Sequence, residues 1–151
     1  MSGGCGRRGC PVRGMRSSPR LKMKRERLLD TNVLILHLRE EPGVMETLSR
    51  WAMEDTLYIS VATRTEVLVG MRPHEEERTL ALLNALVNLP VDEAIADQAG
   101  RLIYQYARRG FQFSFPDAVI AATALRYDLV LVTTNVRHFP VPELEVEPFP
   151  K

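Results

Sequence analysis

The sequence predicts an α/β fold in a single domain, with a mostly parallel central sheet and helices on both of its faces. Three observations lead there. From residue 27 onward, short apolar runs alternate with stretches of helical periodicity. One of those runs, Leu129-Val130-Leu131-Val132-Thr133, is too apolar to leave either face in water, as befits a strand inside a sheet covered on both sides. The joints between runs carry capping and chain-breaking residues. Strands alternating with helices build a parallel sheet, and right-handed crossovers put the helices on both faces.

The elements follow in order. Arg27-Leu28-Leu29-Asp30 is a strand ending in a carboxylate; Thr31-Asn32 turns the chain, and Val33 to Leu38 is helical. Pro42-Gly43 breaks that helix, and Val44 to Ala52 resumes one whose apolar residues are Val44, Met45, Leu48, Trp51 and Ala52, with Trp51 in the core. Leu57-Tyr58-Ile59 is a second strand. Ser60 caps a helix from Val61, and Gly70 stops it. Pro73 opens a helix reaching Ala85, with Glu75, Glu76 and Glu77 in the first turn where the dipole favours acids. After a Leu86 to Leu89 strand, Asp92 caps a long helix to Arg109 with the stripe Ile95, Ala99, Leu102, Ile103 and Tyr106, closed by Gly110. Ser114-Phe115-Pro116-Asp117 starts the most apolar helix, Ala118 to Tyr127, before the apolar strand at 129–133. A last strand is expected near Leu144 to Glu147.

Composition bounds the rest. A chain of 151 residues, 45% hydrophobic and 26% charged, has the size and balance of one folded domain. No apolar run reaches a membrane span or a secretory core segment, so a cytoplasmic protein is expected. The two cysteines, Cys5 and Cys10, have no partner pair at zinc spacing, and neither a disulfide framework nor a structural zinc is expected. Residues 1 to 27 hold nine Lys/Arg and one acid, leaving 11 Lys/Arg against 18 Asp/Glu in residues 28 to 151. A segment of about +8 thus precedes a body of about −7. Residues 1–26 are read as a basic leader outside the fold, and 27–151 as the domain. The leader is either an arm that holds nucleic acid or a stretch preceding a true start at Met15 or Met23.

In an α/β sheet the binding crevice lies at the carboxyl ends of the strands. Asp30 ends the first strand, Asp117 sits in the first turn of the last long helix, and Asn135 follows the apolar strand. Glu66 lies about 9 Å down its helix at ~1.5 Å per residue, but helical side chains lean toward the N-terminus and glutamate is long. A helical wheel puts Glu66 at the margin of a face made by Val61, Thr65, Leu68 and Val69. Each acid also has a plain structural reading. Ser114-x-x-Asp117 resembles a capping box, Glu66 could be a solvated helix residue, and Asp30 could bond a turn. Convergence decides against that. Two carboxylates 4 Å apart repel by about 1 kcal/mol in water and about 4 at an effective dielectric of 20, so a fold rarely gathers them without a cation. An all-oxygen pocket favours Mg²⁺ or Mn²⁺ over zinc. Asp97, about 200° round its helix from Ile95, should face solvent. His37, His74 and His138 share no ligand or dyad spacing, Ser60 and Ser114 have no placed histidine base, and no phosphate-binding glycine motif is present.

These residues resemble the PIN-domain ribonucleases, and in particular the toxins of bacterial VapBC-type toxin-antitoxin pairs, over nearly all of residues 27 to 147. The resemblance rests on four segments in order: Leu28 to Ile35, Ile59 to Gly70, Pro116 to Ala124 and Leu131 to Phe139. It implies a single PIN-like domain whose acidic-pocket positions are Asp30, Glu66, Asp117 and Asn135. It further implies a sequence-selective endoribonuclease, neutralised by a cognate antitoxin and assembled as a homodimer. Asp30, Glu66 and Asp117 would hold Mg²⁺ or Mn²⁺, which would activate a water and neutralise charge on the scissile phosphate. Two departures stand out: Asn135 brings no charge where relatives have Asp or Asn, and His138 precedes Phe139 where relatives often have Asp. An acidic domain also needs cations around its pocket to accept RNA, and Arg64, Arg72, Arg108, Arg109 and Arg137 are the candidates. Two rivals remain. A phosphatase with a nucleophilic aspartate after strand one would want a second Asp where Asn32 stands, and a degenerate PIN domain that only binds RNA or protein would explain Asn135.

Overall fold

The computed structural model describes residues 25–149. Cys5, Cys10, Met15 and Met23, and with them almost all of the basic leader, lie outside the described residues. Five strands, β1 (Arg27–Leu29), β2 (Leu57–Ser60), β3 (Val87–Leu89), β4 (Val130–Thr133) and β5 (Val146–Pro148), form one sheet in the order β3-β2-β1-β4-β5. All four pairings are parallel, so the expected mostly parallel sheet is wholly parallel among the described residues. The helices are α1 (Thr31–Leu38), α2 (Val44–Glu54), α3 (Val61–Val69), α4 (Glu76–Asn84), α5 (Glu93–Ala107) and α6 (Phe115–Tyr127). Short 3₁₀ turns sit at Pro73–Glu75 and Val136–His138.

Alternation along the strands builds two cores. Leu28 and Leu131 point to one face, where α5 and α6 cover them through Ile95, Ala99, Leu102, Tyr106, Val119 and Ile120. Leu29, Ile59 and Val132 point to the other, under Val33 and Leu34 of α1, Leu48 and Trp51 of α2, Val67 of α3 and Leu83 of α4. Helices therefore lie on both faces, as parallel sheets require. Every residue of β4 is buried, because both layers meet over it. One charge enters this interior. The Arg27 guanidinium lies 3.9 Å over the Trp51 ring, 3.1 Å from Glu147 and 3.6 Å from Asp55, which pins the start of β1 between α2 and β5.

Local chemistry sets the boundaries. Ser60 and Asp92 cap α3 and α5 with side-chain oxygens, and Gly110 ends the turn after α5 with φ +86, a conformation that disfavours any side chain. Two helices begin earlier than periodicity indicated: α1 at Thr31 because Asp30 caps it, and α6 at Phe115 because Ser114 does. The Pro73 segment opens as a 3₁₀ turn before α4 begins. The expected apolar face of α3 is incorrect. Thr63 and Val67 are its buried residues, while Thr65 is exposed and Val69 is 80% exposed, because α3 turns the Thr63 side toward α1 and α6. Asp97 is exposed, as its wheel position required.

Leu131, at 0% exposure in the central strands, carries the most direct test of this packing. Leu131→Ala should destabilise the protein by about 2–5 kcal/mol, read as a lowered urea midpoint with an unchanged slope. A loss under about 1 kcal/mol would contradict the two-sided burial of β4.

Candidate active site at the carboxyl edge of the sheet

Strand order makes the site before any side chain does. From β1 the chain moves outward through β2 to β3, then returns to β4 on the other flank of β1. Connections leaving β1 and β4 depart in opposite directions, which opens a crevice between their carboxyl ends. Leu29 pairs with Val132, and the Asp30 N–H donates to the Val132 carbonyl at 2.9 Å, so Asp30 and Thr133 stand side by side at that opening.

Asp30 is the buried centre, only 5% exposed. Its Oδ1 accepts the Thr31 N–H at 2.8 Å and caps α1. Its Oδ2 accepts the Thr133 hydroxyl at 2.6 Å. That hydroxyl oxygen in turn accepts the Asn135 backbone N–H at 2.9 Å, which holds the turn leading into Val136–His138. The Thr31 hydroxyl donates to Glu66 Oε1 at 2.6 Å, and its oxygen lies 3.3 Å from the Thr63 hydroxyl oxygen. Thr31 thus holds Asp30 through its N–H and Glu66 through its side chain. This explains how Glu66 joins the site from inside α3: it neighbours the buried Thr63 edge of the helix rather than the face the wheel suggested.

Asp117 separates the capping reading from the functional one. The helix cap is Ser114, whose Oγ accepts the Asp117 backbone N–H at 3.1 Å. The cap thus uses the Asp117 backbone, and no reciprocal bond runs from the Ser114 N–H to the Asp117 carboxylate. That carboxylate instead lies 3.5 Å from His138 Nδ1.

The charges are coupled. Burial lifts the Asp30 carboxyl above its ordinary value; bonds from Thr133 and the Thr31 backbone pull it down, the Asp117 charge pushes it up, and His138 lowers it. Burial also raises Asp117, against the Ser114 bond and His138, with Glu66 adding to the rise. Asp30 therefore feels Asp117, Asp117 feels Glu66, and the desolvation of Asp30 outweighs two good hydrogen bonds. Among the described residues no three His, Cys, Asp or Glu side chains are drawn together closely enough to form a metal-binding group. The donor set nonetheless fits a hard divalent cation: three mutually repelling carboxylates, all oxygen, two of them held in desolvated positions that disfavour their own charge. Asn135 stands beside them at the end of β4.

Several polar roles were not legible in the sequence. Thr31 and Thr133 were read as a turn residue and a strand end. The available signal was Thr133 itself, a hydroxyl closing a strand with no exposed face, which must find a partner when buried. His138 was placed near the pocket but outside it, and it contacts Asp117. Most basic candidates are engaged elsewhere. Arg64 donates to Asn84 and Asn88, and the side chains of Arg108 and Arg109 lie over Tyr104 and Tyr106, while at Arg72 the backbone N–H donates to Glu75. Arg137 is exposed, next to His138, with no ion-pair partner among the described residues. A cavity of about 370 Å³ lies elsewhere, lined by residues of α1, α2 and α4 that include Leu34, Leu48 and Leu82, and none of the four candidate residues lines it. No helix among the described residues is long and apolar enough to cross a membrane.

Known proteins share this fold and part of this sequence. The family model described as "PIN domain" matches residues 27–143. The chain is 38% identical over 122 residues to a protein named Ribonuclease VapC10 from Mycobacterium tuberculosis, covering 81% of this chain and 92% of that one. Among solved structures, a toxin-antitoxin complex from Klebsiella pneumoniae contains a chain 31% identical, with TM-score 0.68 and coverage of 82% and 98%. The VapBC2 complex of Rickettsia felis bound to a promoter DNA fragment matches with TM-score 0.73 at 23% identity, covering 82% and 98%, a likeness of fold.

Thr133→Val keeps the side-chain volume but removes the donor to buried Asp30 and the acceptor for the Asn135 N–H. Cation-free protein should lose about 1–3 kcal/mol by urea denaturation. A change within measurement error would mean that the Asp30–Thr133 bond does not hold the junction.

Proposed function

The chain belongs to the PIN-domain family, and on that premise we propose that it is a Mg²⁺- or Mn²⁺-dependent endoribonuclease, the toxin of a VapBC-type toxin-antitoxin pair. One observation carries the reading. Asp30, Glu66 and Asp117, from three different elements, lie along one edge of the sheet near enough for the Asp117 charge to raise Asp30 and the Glu66 charge to raise Asp117. The ribonuclease name of its relative and the toxin-antitoxin complexes of similar fold support the substrate class and a cognate antitoxin as partner. The proposal includes a homodimer, a cytoplasmic location, and a division into a basic leader, 1–26, and a nuclease domain, 27–151.

In this reading Asp30, Glu66 and Asp117 hold the cation, with Asn135 contributing a carbonyl oxygen. A bound divalent cation would neutralise charge on the scissile phosphate and acidify the attacking water. The protein's own share is positioning. Thr133 and the Thr31 N–H fix both oxygens of Asp30, the Thr31 hydroxyl orients Glu66, and the Ser114 side chain holds both the Asp117 N–H and its carboxyl. Three carboxylates aimed at one opening also repel an RNA backbone unless a cation intervenes, so metal dependence follows from charge as well as from chemistry.

RNA cleavage should therefore require Mg²⁺ or Mn²⁺ and stop with EDTA; undiminished cleavage in excess chelator would end the reading. Cleavage absent under every divalent ion, with RNA binding intact, would favour a non-catalytic PIN domain. Asp117→Asn tests the site. Its folded pKa is raised, so ionisation of Asp117 weakens the fold as pH rises from 3.8 through the folded value. In the cation-free protein at neutral pH the variant should melt at or slightly above the wild-type temperature, the difference shrinking as pH falls into that window. Cleavage should fall below detection. Near-normal cleavage would remove Asp117 from the site. For the leader, a chain beginning at Met23 should melt within a few degrees of the full one, and a larger drop would show that residues 1–22 pack on the domain.

A further inference from the structure

Helix α5 carries two parallel rows of side chains. Ile95, Ala99, Leu102 and Tyr106 are its buried stripe. Ala94, Gln98, Arg101 and Gln105 repeat the same spacing one residue earlier, about 100° round the axis, so they run along one border of that stripe. Together with Leu125 and Arg126 of α6 and with Val141 and Glu143, this row lines a cleft of about 540 Å³, the size of a small-molecule site. Buried Leu102 and Val141 and partly buried Leu125 give it an apolar floor. The cleft is separate from the acids. Leu125 and Arg126 follow Asp117 by eight and nine residues, about 12–14 Å along α6 at ~1.5 Å per residue, and none of Asp30, Glu66, Asp117 and Asn135 lines it.

The fold makes no use of the charges around this cleft. Among the described residues Arg101, Arg126 and Glu143 form no ion pair or hydrogen bond, although all three line the same space. Asp97, one turn before Arg101, offers it the ordinary pair of a helix, and that pair does not form. Arg126 stands in the last turn of α6, where the helix dipole favours a cation. Arg101, in the middle of α5, has no such reason. Residues 28–151 carry seven more acids than Lys/Arg, so two unpaired guanidiniums on one cleft stand out from their surroundings. Two guanidiniums suit a dianionic phosphate. Glu143 and the amides of Gln98 and Gln105 suit hydroxyl and amine groups, and the apolar floor suits a flat ring. A nucleoside monophosphate joins these parts in one molecule of fitting size. The lining has no Ser, Thr, Cys, His or Lys, so the cleft is built to bind and not to react.

We propose that the α5/α6 cleft is a second ligand site that binds a nucleoside monophosphate, with Arg101 and Arg126 on the phosphate and Glu143 on the ribose hydroxyls. The inference stands independently of the ribonuclease reading. A ligand held there ties α5 to α6, the helix that carries Asp117.

The test is calorimetric titration of the full chain with adenosine monophosphate in excess EDTA, which removes any cation-bridged binding at the acids. Saturable binding is expected, with adenosine alone and inorganic phosphate alone clearly weaker. Arg101→Gln and Arg126→Gln should each weaken the nucleotide about tenfold or more, the loss expected for a charge-assisted hydrogen bond. Ala94→Trp fills the cleft and leaves every charge in place, and it should abolish binding. Arg137→Gln removes an exposed charge outside the cleft and should leave the affinity unchanged. Absence of binding at millimolar nucleotide would overturn the proposal, as would wild-type affinity in Arg101→Gln or Ala94→Trp. Equal losses in Arg137→Gln and Arg101→Gln would also overturn it, since general charge attraction would then explain the binding, and so would phosphate binding as tightly as the nucleotide.

Discussion

Much of this molecule depends on one carboxylate that the fold buries where it should be least comfortable. Asp30 sits at 5% exposure at the point where the sheet reverses its direction of growth, between the ends of β1 and β4. Its two oxygens are taken by donors from different places, the N–H that begins α1 and the hydroxyl that ends β4. The same group therefore caps a helix, joins two central strands and fixes the floor of the opening. Burial disfavours its charge more than these bonds favour it, and Asp117 adds repulsion. A fold that maintains such an arrangement has a use for negative charge at that place, and the divalent cation proposed for the site would relieve desolvation and repulsion together.

The surrounding residues follow from that requirement. Threonine recurs around the acids because a short hydroxyl donates to a carboxylate without adding charge: Thr133 serves Asp30 and Thr31 serves Glu66, each at 2.6 Å. A lysine or arginine in either place would neutralise the acid and compete with a cation. Serine at the α6 cap has a parallel effect, since Ser114 satisfies the helix end and gives the Asp117 carboxyl an uncharged partner. Among the described residues, His138, 3.5 Å from that carboxylate, is the group paired with it.

The layer order was legible in the sequence because each strand is a short apolar run flanked by strong punctuation: Ser60, Asp92 and Ser114 stand at the helix starts their side chains indicate, and Asp30, read as a strand end, caps α1 as well. Asp30, Asp117 and Asn135 were legible as site candidates because topology alone sends the ends of β1 and β4 and the start of α6 to one edge. Glu66 lies near the same edge, though not on the helix face the wheel indicated. Its wheel face counted Val69 as buried, whereas packing against α1 and α6 selects the Thr63–Val67 edge, and local periodicity in a nine-residue helix with polar residues on every side cannot choose between them. The Thr31–Glu66 and Thr133–Asp30 bonds span 35 and 103 residues and exist only once the sheet is assembled. Nothing in the immediate neighbourhood of those threonines distinguishes them from ordinary turn and strand residues.

If relief of buried negative charge is the organising need, cation binding must stabilise the folded chain itself, independently of any RNA. The direct measurement is the melting temperature of the nucleic-acid-free protein against Mn²⁺ concentration, at constant ionic strength set with NaCl. Binding to the folded state alone adds RT ln(1 + [Mn²⁺]/Kd), about 2.7 kcal/mol at a hundredfold excess over Kd, so the temperature should climb steadily with concentration. Asp30→Asn should flatten that climb. A melting temperature that does not respond to millimolar Mn²⁺ would contradict the account, because the carboxylates would then have been gathered for something other than a metal ion.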